Sequence, residues 1–374
     1  MKRIVDEASL ARWRSIPPNA AYFIAMKHAD FLDHLAFGDL AASYGKHLIY
    51  VSIPEAFKEY WGMGGFVIRR LGAFAVERGG TNIQATRYIV EALVDGRVPL
   101  LIFPEGELHF LNDVVTVLKQ GTALFALEGA KARRQAGKLN SMYILPVGIK
   151  YVYPEDITSL LIEKISRCEK KFFGKVHSGQ VIDRLLSLMG AVLQTSASKF
   201  SVDLTEKTME ENYFFLSGQL IERLEREEYG KCFEGGLSDR ARRLMTHLEK
   251  NKEKFEIARL ALHALDFLPG YLNERSQERL METARKLERI ITGNENQAMP
   301  GKRLQFIRIE EPMLVDNYLD AYLDRKTKRD ALQKLTSDLQ RILEGSIANL
   351  HQKTRSFSKV EKPAGVSSST KKNR

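Results

Sequence analysis

Over the first 150 residues, short apolar runs alternate with longer amphipathic stretches, and this alternation restricts the possible folds. The runs are rich in β-branched, aliphatic and aromatic residues and are bounded by Gly, Pro or charge, which predicts buried strands. They cover residues 22–26, 47–51, 74–76, 98–103 and 143–149. Residues 81–95 and 118–132 have helical spacing instead. This alternation predicts an α/β fold, a sheet covered by helices.

The middle of the chain has a different pattern. Residues 203–228, 239–268 and 274–291 are rich in Leu, Glu, Arg and Lys at helical spacing, and no strand is predicted among them. A strand at 304–309 and a helix over 315–350 follow. We predict a mixed β-sheet flanked by helices, with a large all-helical insertion; two sequential domains are the alternative. The predicted divisions are 1–153 (first part of the core), 154–303 (insertion), 304–350 (return to the core) and 351–374 (basic disordered tail).

The net charge of +10 is concentrated at the C-terminus. Residues 352–374 hold seven basic residues and one acidic residue, so the rest of the chain has only a mild positive excess. Charge therefore does not indicate a nucleic-acid-binding body. The Ser- and Lys-rich tail is predicted to be disordered. We favour a simple solvated tail, and attraction to anionic lipid is the alternative.

Signals for export or membrane insertion are missing from the sequence. The N-terminus mixes charges and lacks the apolar stretch of a signal peptide. The most apolar runs are far shorter than the roughly 20 residues of a spanning helix. Cys168 and Cys232 have neither disulfide nor metal spacing, which fits a reducing compartment. We therefore expect a cytoplasmic protein, peripheral on the cytoplasmic face of a membrane.

His28 follows the first predicted strand closely and precedes Asp33 by five residues. On one continuous helix, side chains five residues apart point in different directions. The pair meets only if His28 lies in a loop and Asp33 in the first turns of the next helix. A carboxylate there would fix the imidazole tautomer and stabilise its protonated form. Taken alone, a His near an Asp is more often structural than catalytic.

Three further blocks combine a strand with a polar or shaping residue. Arg78 ends one strand beside two glycines, so it is either an anion-binding fork or a surface arginine. Glu105 follows a strand that stops at Pro104. It is either a site residue, since sites on α/β sheets lie where strands end, or a solvated turn residue. Pro146 interrupts the apolar run 143–149, which marks an edge or a bulge.

Together the four blocks resemble the PlsC-like glycerolipid acyltransferase family, which includes lysophosphatidate and glycerol-3-phosphate acyltransferases. The resemblance covers about residues 22–153 and resumes at 308–312. It implies that His28 is the general base and that Asp33 orients it. It also implies substrate-binding or site-shaping positions at Gly72, Phe74, Arg78, Phe103, Pro104, Glu105, Gly106, Lys119, Gly121 and Pro146. Among these, Arg78 and Lys119 would contact phosphate, Glu105 would bind the acceptor, and Pro146 would lie near the acyl donor.

The sequence departs from the family pattern in several places. Lys27 replaces the usual Asn before the histidine, and Glu107 replaces the usual Thr after the Phe-Pro-Glu-Gly block, with Leu108 and His109 following. Glu310 and Glu311 replace a Gly near the final strand. The long helical segment is absent from the minimal family domain.

The resemblance implies an enzyme that moves a fatty acyl group from acyl-CoA or acyl-ACP to a phosphorylated glycerol or lysophospholipid acceptor. Its partners would be that thioester donor, that acceptor and a membrane surface, without nucleic acid. One positioned base can suffice for attack of an alcohol on a thioester, so we expect no metal and no cofactor beyond the acyl donor. The alternatives are transfer to a non-phosphate acceptor, thioester hydrolysis, and an inactive membrane-associated scaffold.

Overall fold

A computed structural model describes residues 2–52, 72–75, 83–138, 141–204, 208–294, 299–355 and 357. The elements before the helical segment are β1 (Lys2–Val5), α1 (Glu7–Arg14), β2 (Ala21–Met26), α2 (Asp33–Ser43), β3 (Ile49–Ser52), β4 (Ala73–Ala75), α3 (Ile83–Asp95), β5 (Leu100–Ile102), α4 (Gly121–Gln135) and β6 (Met142–Val152). The helical segment contains α5 (Thr158–Phe173), α6 (Val181–Lys199), α7 (Met209–Tyr229), α8 (Leu237–His247), α9 (Lys252–Ala264) and α10 (Gln277–Thr292). The last elements are β7 (Leu304–Ile309), β8 (Met313–Leu314), α11 (Asp316–Leu323) and α12 (Lys328–Thr354).

The strands form one mixed sheet in the order β1-β7-β6-β2-β5-β3-β4, with β8 also paired to β6. Strands β6, β2, β5, β3 and β4 run parallel, while β7 and β8 run antiparallel to β6. The predicted fold class, a mixed sheet flanked by helices, is therefore confirmed. Because β2 and β5 are parallel neighbours, the loops that follow them emerge side by side at one edge of the sheet.

Pro146 lies in the middle of β6, opposite Ala25 of β2. A proline has no N–H to donate to a neighbouring strand. On the other side of β6, the pairing with β7 ends at Ile309 and resumes with β8 at Met313, so the interruption falls beside Pro146. Of the two alternatives for Pro146, an edge or a bulge, the edge is wrong because β6 is an interior strand. The interruption of pairing lies in the neighbouring segment between Ile309 and Met313.

Apolar side chains alternate between the two faces of the sheet, since neighbouring residues of a strand point to opposite sides. Phe23 packs on the face covered by α3, α4, α11 and α12, whereas Ile24 packs on the face covered by α1 and α2. Residues buried on both faces explain why the strands have continuous apolar runs in the sequence.

Helices α5–α10 build a separate apolar core, to which Leu185, Leu220, Leu244 and Met281 contribute. The chain leaves the sheet after β6 and returns at β7, which pairs directly with β6. The described part of residues 158–292 contains no strand. The boundaries of an insertion within this arrangement stay a prediction.

All six predicted strands are present, with ends shifted by a few residues. Three predicted bounds are wrong. The stretch 239–268 is two helices, because the Asn251 side chain caps α9 and ends the continuity. The stretch 315–350 is also two helices, α11 and α12. Helix α12 also ends later than the predicted residue 350, at Thr354. Strands β1 and β8 were not predicted because they are short and lie at the margins of the sheet.

Candidate active site

His28 and Asp33 meet at the edge of the sheet where β2 ends. β2 ends at Met26 and α2 begins at Asp33, so His28 lies in the connecting loop and Asp33 in the first turn of the helix. His28 Nδ1 lies 2.9 Å from Asp33 Oδ2. The chain between the two residues is not helical, and this is the geometric reason that side chains five residues apart can make contact.

The Asp33 carboxylate is fully buried and is surrounded by donors. Its Oδ2 accepts hydrogen bonds from the backbone N–H groups of Ala29 at 2.6 Å and Asp30 at 2.8 Å, in addition to the His28 contact. Its Oδ1 accepts from the Tyr151 hydroxyl at 2.6 Å. These bonds compensate the burial of the charge and hold the carboxylate in one orientation.

Tyr151 lies on β6, the strand next to β2, and its hydroxyl supports the Asp33 carboxylate. Burial, together with the charge of Asp33, raises the pKa of Tyr151 well above its ordinary value, so the phenol remains a hydrogen-bond donor. Gln305 of β7 donates to the Tyr151 oxygen at 3.0 Å. The amide of Asn112 pairs with both the N–H and the C=O of Tyr151, at 2.8 Å and 2.6 Å. Tyr151 is therefore fixed at both its backbone and its hydroxyl.

The tautomer of the His28 ring follows from its partner. An ionised carboxylate only accepts hydrogen bonds, so Nδ1 carries the proton and donates to Asp33. In the neutral ring, Nε2 then presents its lone pair. The Phe103 ring stacks on the imidazole with ring centroids 3.9 Å apart and planes 16° apart, which fixes the plane of the ring. This arrangement suits a base that accepts a proton from a substrate at its Nε2 atom.

Glu105 lies in the loop after β5, and its side chain holds the backbone of the His28 loop. Its Oε1 accepts from the His28 N–H at 2.8 Å. Its Oε2 accepts from the Thr116 N–H at 2.9 Å and from the Thr116 hydroxyl at 2.8 Å. The side chain is buried, and both oxygens are used within the protein. Acceptor binding by Glu105 stays a prediction, while its contact with the His28 backbone identifies it as a positioning residue.

Replacing Glu105 by Gln is expected to disturb this positioning. Either orientation of the amide places its NH₂ against a backbone N–H, of His28 or of Thr116. We expect a loss of about 1–3 kcal/mol in unfolding free energy from the unsatisfied donors. We also expect kcat to fall about tenfold or more, because small misplacements of reacting groups are costly. Urea denaturation and initial rates measure the two effects.

The matched control for Glu105→Gln is Thr116→Val, which removes only the hydroxyl bond and keeps the Thr116 N–H bond to Glu105. It should lose less stability and keep its rate. A Glu105→Gln enzyme equal to the parent in both measurements contradicts the positioning role.

Gly106 and Lys119 shape the turn that carries Glu105. The Gly106 N–H donates to the Phe103 carbonyl at 3.0 Å. Gly106 has φ of +71°, a left-handed conformation that favours glycine, and an added Cβ would lie 3.0 Å from the Lys119 Cγ. The Lys119 N–H donates to the Pro104 carbonyl at 2.8 Å. These contacts give Phe103, Pro104 and Gly106 a structural part in the turn.

The Lys119 ammonium pairs with Asp239 of α8, with Nζ and Oδ2 2.7 Å apart. Both side chains are more than one third exposed, so the pair is weakened by solvent. Gly121 begins α4 immediately afterwards. The predicted contact of Lys119 with a substrate phosphate stays a prediction, and in this structure the ammonium is paired with the Asp239 carboxylate.

The other predicted substrate positions lie on neighbouring strands. Gly72 has φ of +87°, and a Cβ there would lie 2.9 Å from the Leu48 carbonyl oxygen, so the position favours glycine. Phe74 of β4 contacts Tyr88 of α3 with ring centroids 4.7 Å apart. β4 is separated from β2 by β5 and β3. Arg78 lies outside the described residues.

Glu107 and His109 attach the helical segment to the site. Glu107 forms a bidentate pair with Arg242 of α8, at 2.8 Å and 2.9 Å. His109 Nδ1 lies 2.7 Å from Asp266 Oδ1. Both residues lie just after the Phe103–Gly106 block, and both side chains pair with helices of the helical segment or the loop after α9.

The His109–Asp266 pair makes stability depend on pH. Burial alone would lower the pKa of His109, but the hydrogen bond and charge of Asp266, with Glu107 and Glu105 nearby, raise it above 6.5. A raised pKa stabilises the fold fully below pH 6.5, and this contribution is lost as pH rises through the folded value. We expect His109→Gln to lower the unfolding free energy by about 1–3 kcal/mol near pH 6 and by less near pH 9. Urea denaturation at the two pH values checks this, and an equal loss at both contradicts it.

Lys27, which precedes His28, contacts a different loop through its side chain. Its side chain is buried, and Nζ donates to the Leu111 carbonyl at 2.5 Å. The residue therefore supports the loop that contains Phe110 and Leu111.

Sequence reasoning did not find Tyr151, Asn112 or Thr116 as supports of the site. The sequence carries no local signal for them, since Tyr151 and Asp33 are 118 positions apart.

Two further findings concern ions and membranes. Within the described ranges, no group of three or more His, Cys, Asp or Glu side chains could hold a metal ion. Among the helices of that same part of the chain, none combines the length and the apolar character of a membrane span.

Residues 12–150 match the sequence model of the acyltransferase family. That range contains β2, the His28–Asp33 pair, the Phe103–Gly106 turn and most of β6. No curated protein matches the chain.

Proposed function

We propose that this chain, an acyltransferase by its family domain, moves a fatty acyl group from acyl-CoA or acyl-ACP to the hydroxyl of a glycerol-phosphate-type acceptor. The acceptor would be lysophosphatidate, giving phosphatidate, or glycerol 3-phosphate. The observation that carries the proposal is the contact of 2.9 Å between His28 Nδ1 and the buried Asp33, which leaves Nε2 as the proton acceptor.

In the proposed reaction, the acceptor hydroxyl oxygen attacks the carbonyl carbon of the thioester while His28 Nε2 takes the hydroxyl proton. The Asp33 carboxylate stabilises the imidazolium that forms. The C–S bond then breaks, and the thiolate leaves with the bond's electron pair. A thiolate is a tolerable leaving group, since a thiol has a pKa of about 8.5. Its protonation by His28 returns the neutral ring and releases free thiol.

Held substrates make this attack effectively intramolecular. Lys119 is the described candidate among the two predicted phosphate contacts. Its partner Asp239 is partly exposed, and a phosphate carries more charge than the carboxylate it would replace. We propose that acceptor binding exchanges Asp239 for phosphate at the Lys119 ammonium.

An apolar surface beside His28 supports contact with lipid. Phe31, Leu32 and Leu35 follow the histidine and are all at least 36% exposed. Large apolar side chains grouped at a surface often mark a site for an apolar partner. We propose that they contact the acyl chain or the membrane when the protein is bound peripherally to the cytoplasmic face of the membrane.

The deciding experiment is mass spectrometry of the lipid products of the purified enzyme. It is given mixed acyl-CoAs or acyl-ACP with lysophosphatidate, glycerol 3-phosphate or a non-phosphorylated alcohol such as monoacylglycerol. The proposal expects an ester product only with phosphorylated acceptors. Products from monoacylglycerol alone, or thiol release without any ester, overturn the proposed acceptor, and no thiol release with any mixture overturns the proposed catalysis.

A further inference from the structure

Arg285 of α10 brings an arginine of the helical segment beside the His28 loop. Its Nη1 lies 3.6 Å from Oδ2 of Asp30, two residues after His28. The residue is 1% exposed. Its guanidinium lies over the Phe110 ring at 3.8 Å and over the Phe31 ring at 5.2 Å. Phe31 is 36% exposed, so this group of side chains reaches the protein surface at the Phe31 ring.

The Arg285 guanidinium has no hydrogen-bond partner in the described part of the chain, at Nε, Nη1 or Nη2. The nearest carboxylate is already engaged. Oδ2 of Asp30 accepts from Arg303 Nη1 at 3.0 Å, and its Oδ1 accepts from the Leu32 N–H at 3.1 Å. Two guanidinium groups, those of Arg285 and Arg303, therefore lie against the same carboxylate.

Arg289, one turn further along α10, provides a comparison. It lies over the same Phe110 ring, with its guanidinium 4.8 Å from the ring centroid. Unlike Arg285, it donates to Asp266 at 3.0 Å and contacts His263 Nε2 at 2.9 Å. The same helix and the same ring thus accommodate one arginine that is hydrogen-bonded and one that is not.

Packing does not explain a charge at position 285. A buried polar group without partners destabilises a fold, and an apolar side chain of similar size would fill the same space without that penalty. Burial lowers the pKa of Arg285 to about 10, so the guanidinium is still charged at neutral pH. A charged, unsatisfied planar fork matches the geometry of a phosphate or carboxylate ligand.

We propose that Arg285 binds a phosphate group of a substrate held beside His28, so that the helical segment supplies part of the substrate site. This inference rests on the proposed function, in which both substrates carry phosphate. The phosphate belongs either to the acceptor or to the pantetheine arm of the acyl donor. Arg303 remains paired with Asp30 and adds its charge to the same region.

The first test measures melting temperature in sodium phosphate, glycerol 3-phosphate and phosphopantetheine, against sodium chloride of equal ionic strength. The parent should be stabilised by at least one phosphate compound beyond the chloride control. Arg285→Met should fold with a melting temperature no lower than the parent's and should lose that stabilisation. Arg289→Met should melt lower, because it removes a charged hydrogen bond to the buried Asp266 carboxylate, yet keep the stabilisation. An equal response in the parent and Arg285→Met, or none in the parent, overturns the proposal.

The second test identifies the source of the phosphate by kinetics of the full enzyme. If the acceptor supplies it, Arg285→Met raises the acceptor KM by about 10- to 100-fold and leaves the donor KM unchanged. If the donor supplies it, the two effects are reversed. Unchanged KM values for both substrates overturn the proposal. A parent enzyme that acylates no phosphorylated acceptor overturns the proposed function instead, and the melting experiment still decides whether Arg285 binds phosphate.

Discussion

Replacing His28 by alanine is expected to lower kcat for acyl transfer by roughly 10²–10⁴, the usual contribution of a positioned base. The side chain that takes the hydroxyl proton is lost, while the contact of its loop with Glu105 remains, since His28 donates to Glu105 from its backbone N–H. The fold should therefore persist. Initial rates at saturating donor and acceptor measure the effect, and circular dichroism checks that the variant is folded.

His34→Gln is the matched control, because His34 lies on α2 only six residues further along the chain. Its ring makes an edge contact with Tyr50 at 6.3 Å, and its pKa is lowered by burial and by the neighbouring His28. This variant should keep kcat within about threefold, because its imidazole touches none of the proposed reacting groups. A His28→Ala enzyme that esterifies acceptors as fast as the parent contradicts the assignment of the base.

Replacing Asp33 by asparagine is expected to lower kcat by roughly 10²–10⁴ without unfolding the protein. The amide oxygen can still accept from the Ala29 and Asp30 N–H groups, and its NH₂ can donate to the Tyr151 oxygen. The negative charge that stabilises the imidazolium is absent, so the barrier to proton transfer rises. Rates and melting temperature together separate this electrostatic loss from loss of structure.

Tyr151→Phe is the control for Asp33→Asn. It removes one hydrogen bond to the carboxylate and keeps the charge, as the bonds from Ala29, Asp30 and His28 remain. We expect a loss in kcat of about tenfold or less, because the charge that stabilises the imidazolium is kept. If the two variants lose activity equally, orientation of the carboxylate matters more than its charge. If Asp33→Asn is fully active, the carboxylate has no part in the reaction.

Much of the sheet was predictable because the pattern that makes a strand is local. The run 143–149 is apolar on both faces, and this follows from burial between two layers of helices. The same reasoning failed for β8, whose two residues, Met313–Leu314, give too short a pattern. It also failed at Asn251, where a single capping side chain divided a continuous helical pattern.

The candidate site also combines one contact that the sequence predicted with supports that it did not predict. Contact of His28 with Asp33 was predictable as a condition on the loop between them, because five residues allow only a few geometries. The support of that pair was not. Tyr151 reaches Asp33 only because β6 lies beside β2, and Glu105 reaches the His28 backbone only because β5 lies on the other side of β2.

The helical segment shows most clearly which contacts could not be predicted from the sequence. Its helices were visible in the sequence, yet their relation to the site was not. Glu107 with Arg242, His109 with Asp266 and Arg285 near Asp30 join residues far apart in the chain.

The mixed α/β class, six of the eight described strands and the residues that could perform acid–base chemistry were readable from the sequence alone. Periodicity, capping and short spacings act within a few residues and can be read along the chain. Only the tertiary structure decided which carboxylate holds which loop, which cation is already paired, and which buried guanidinium lacks a partner. Hydrogen bonds and ion pairs between distant segments depend on distances that chain closure sets, and no local pattern encodes them.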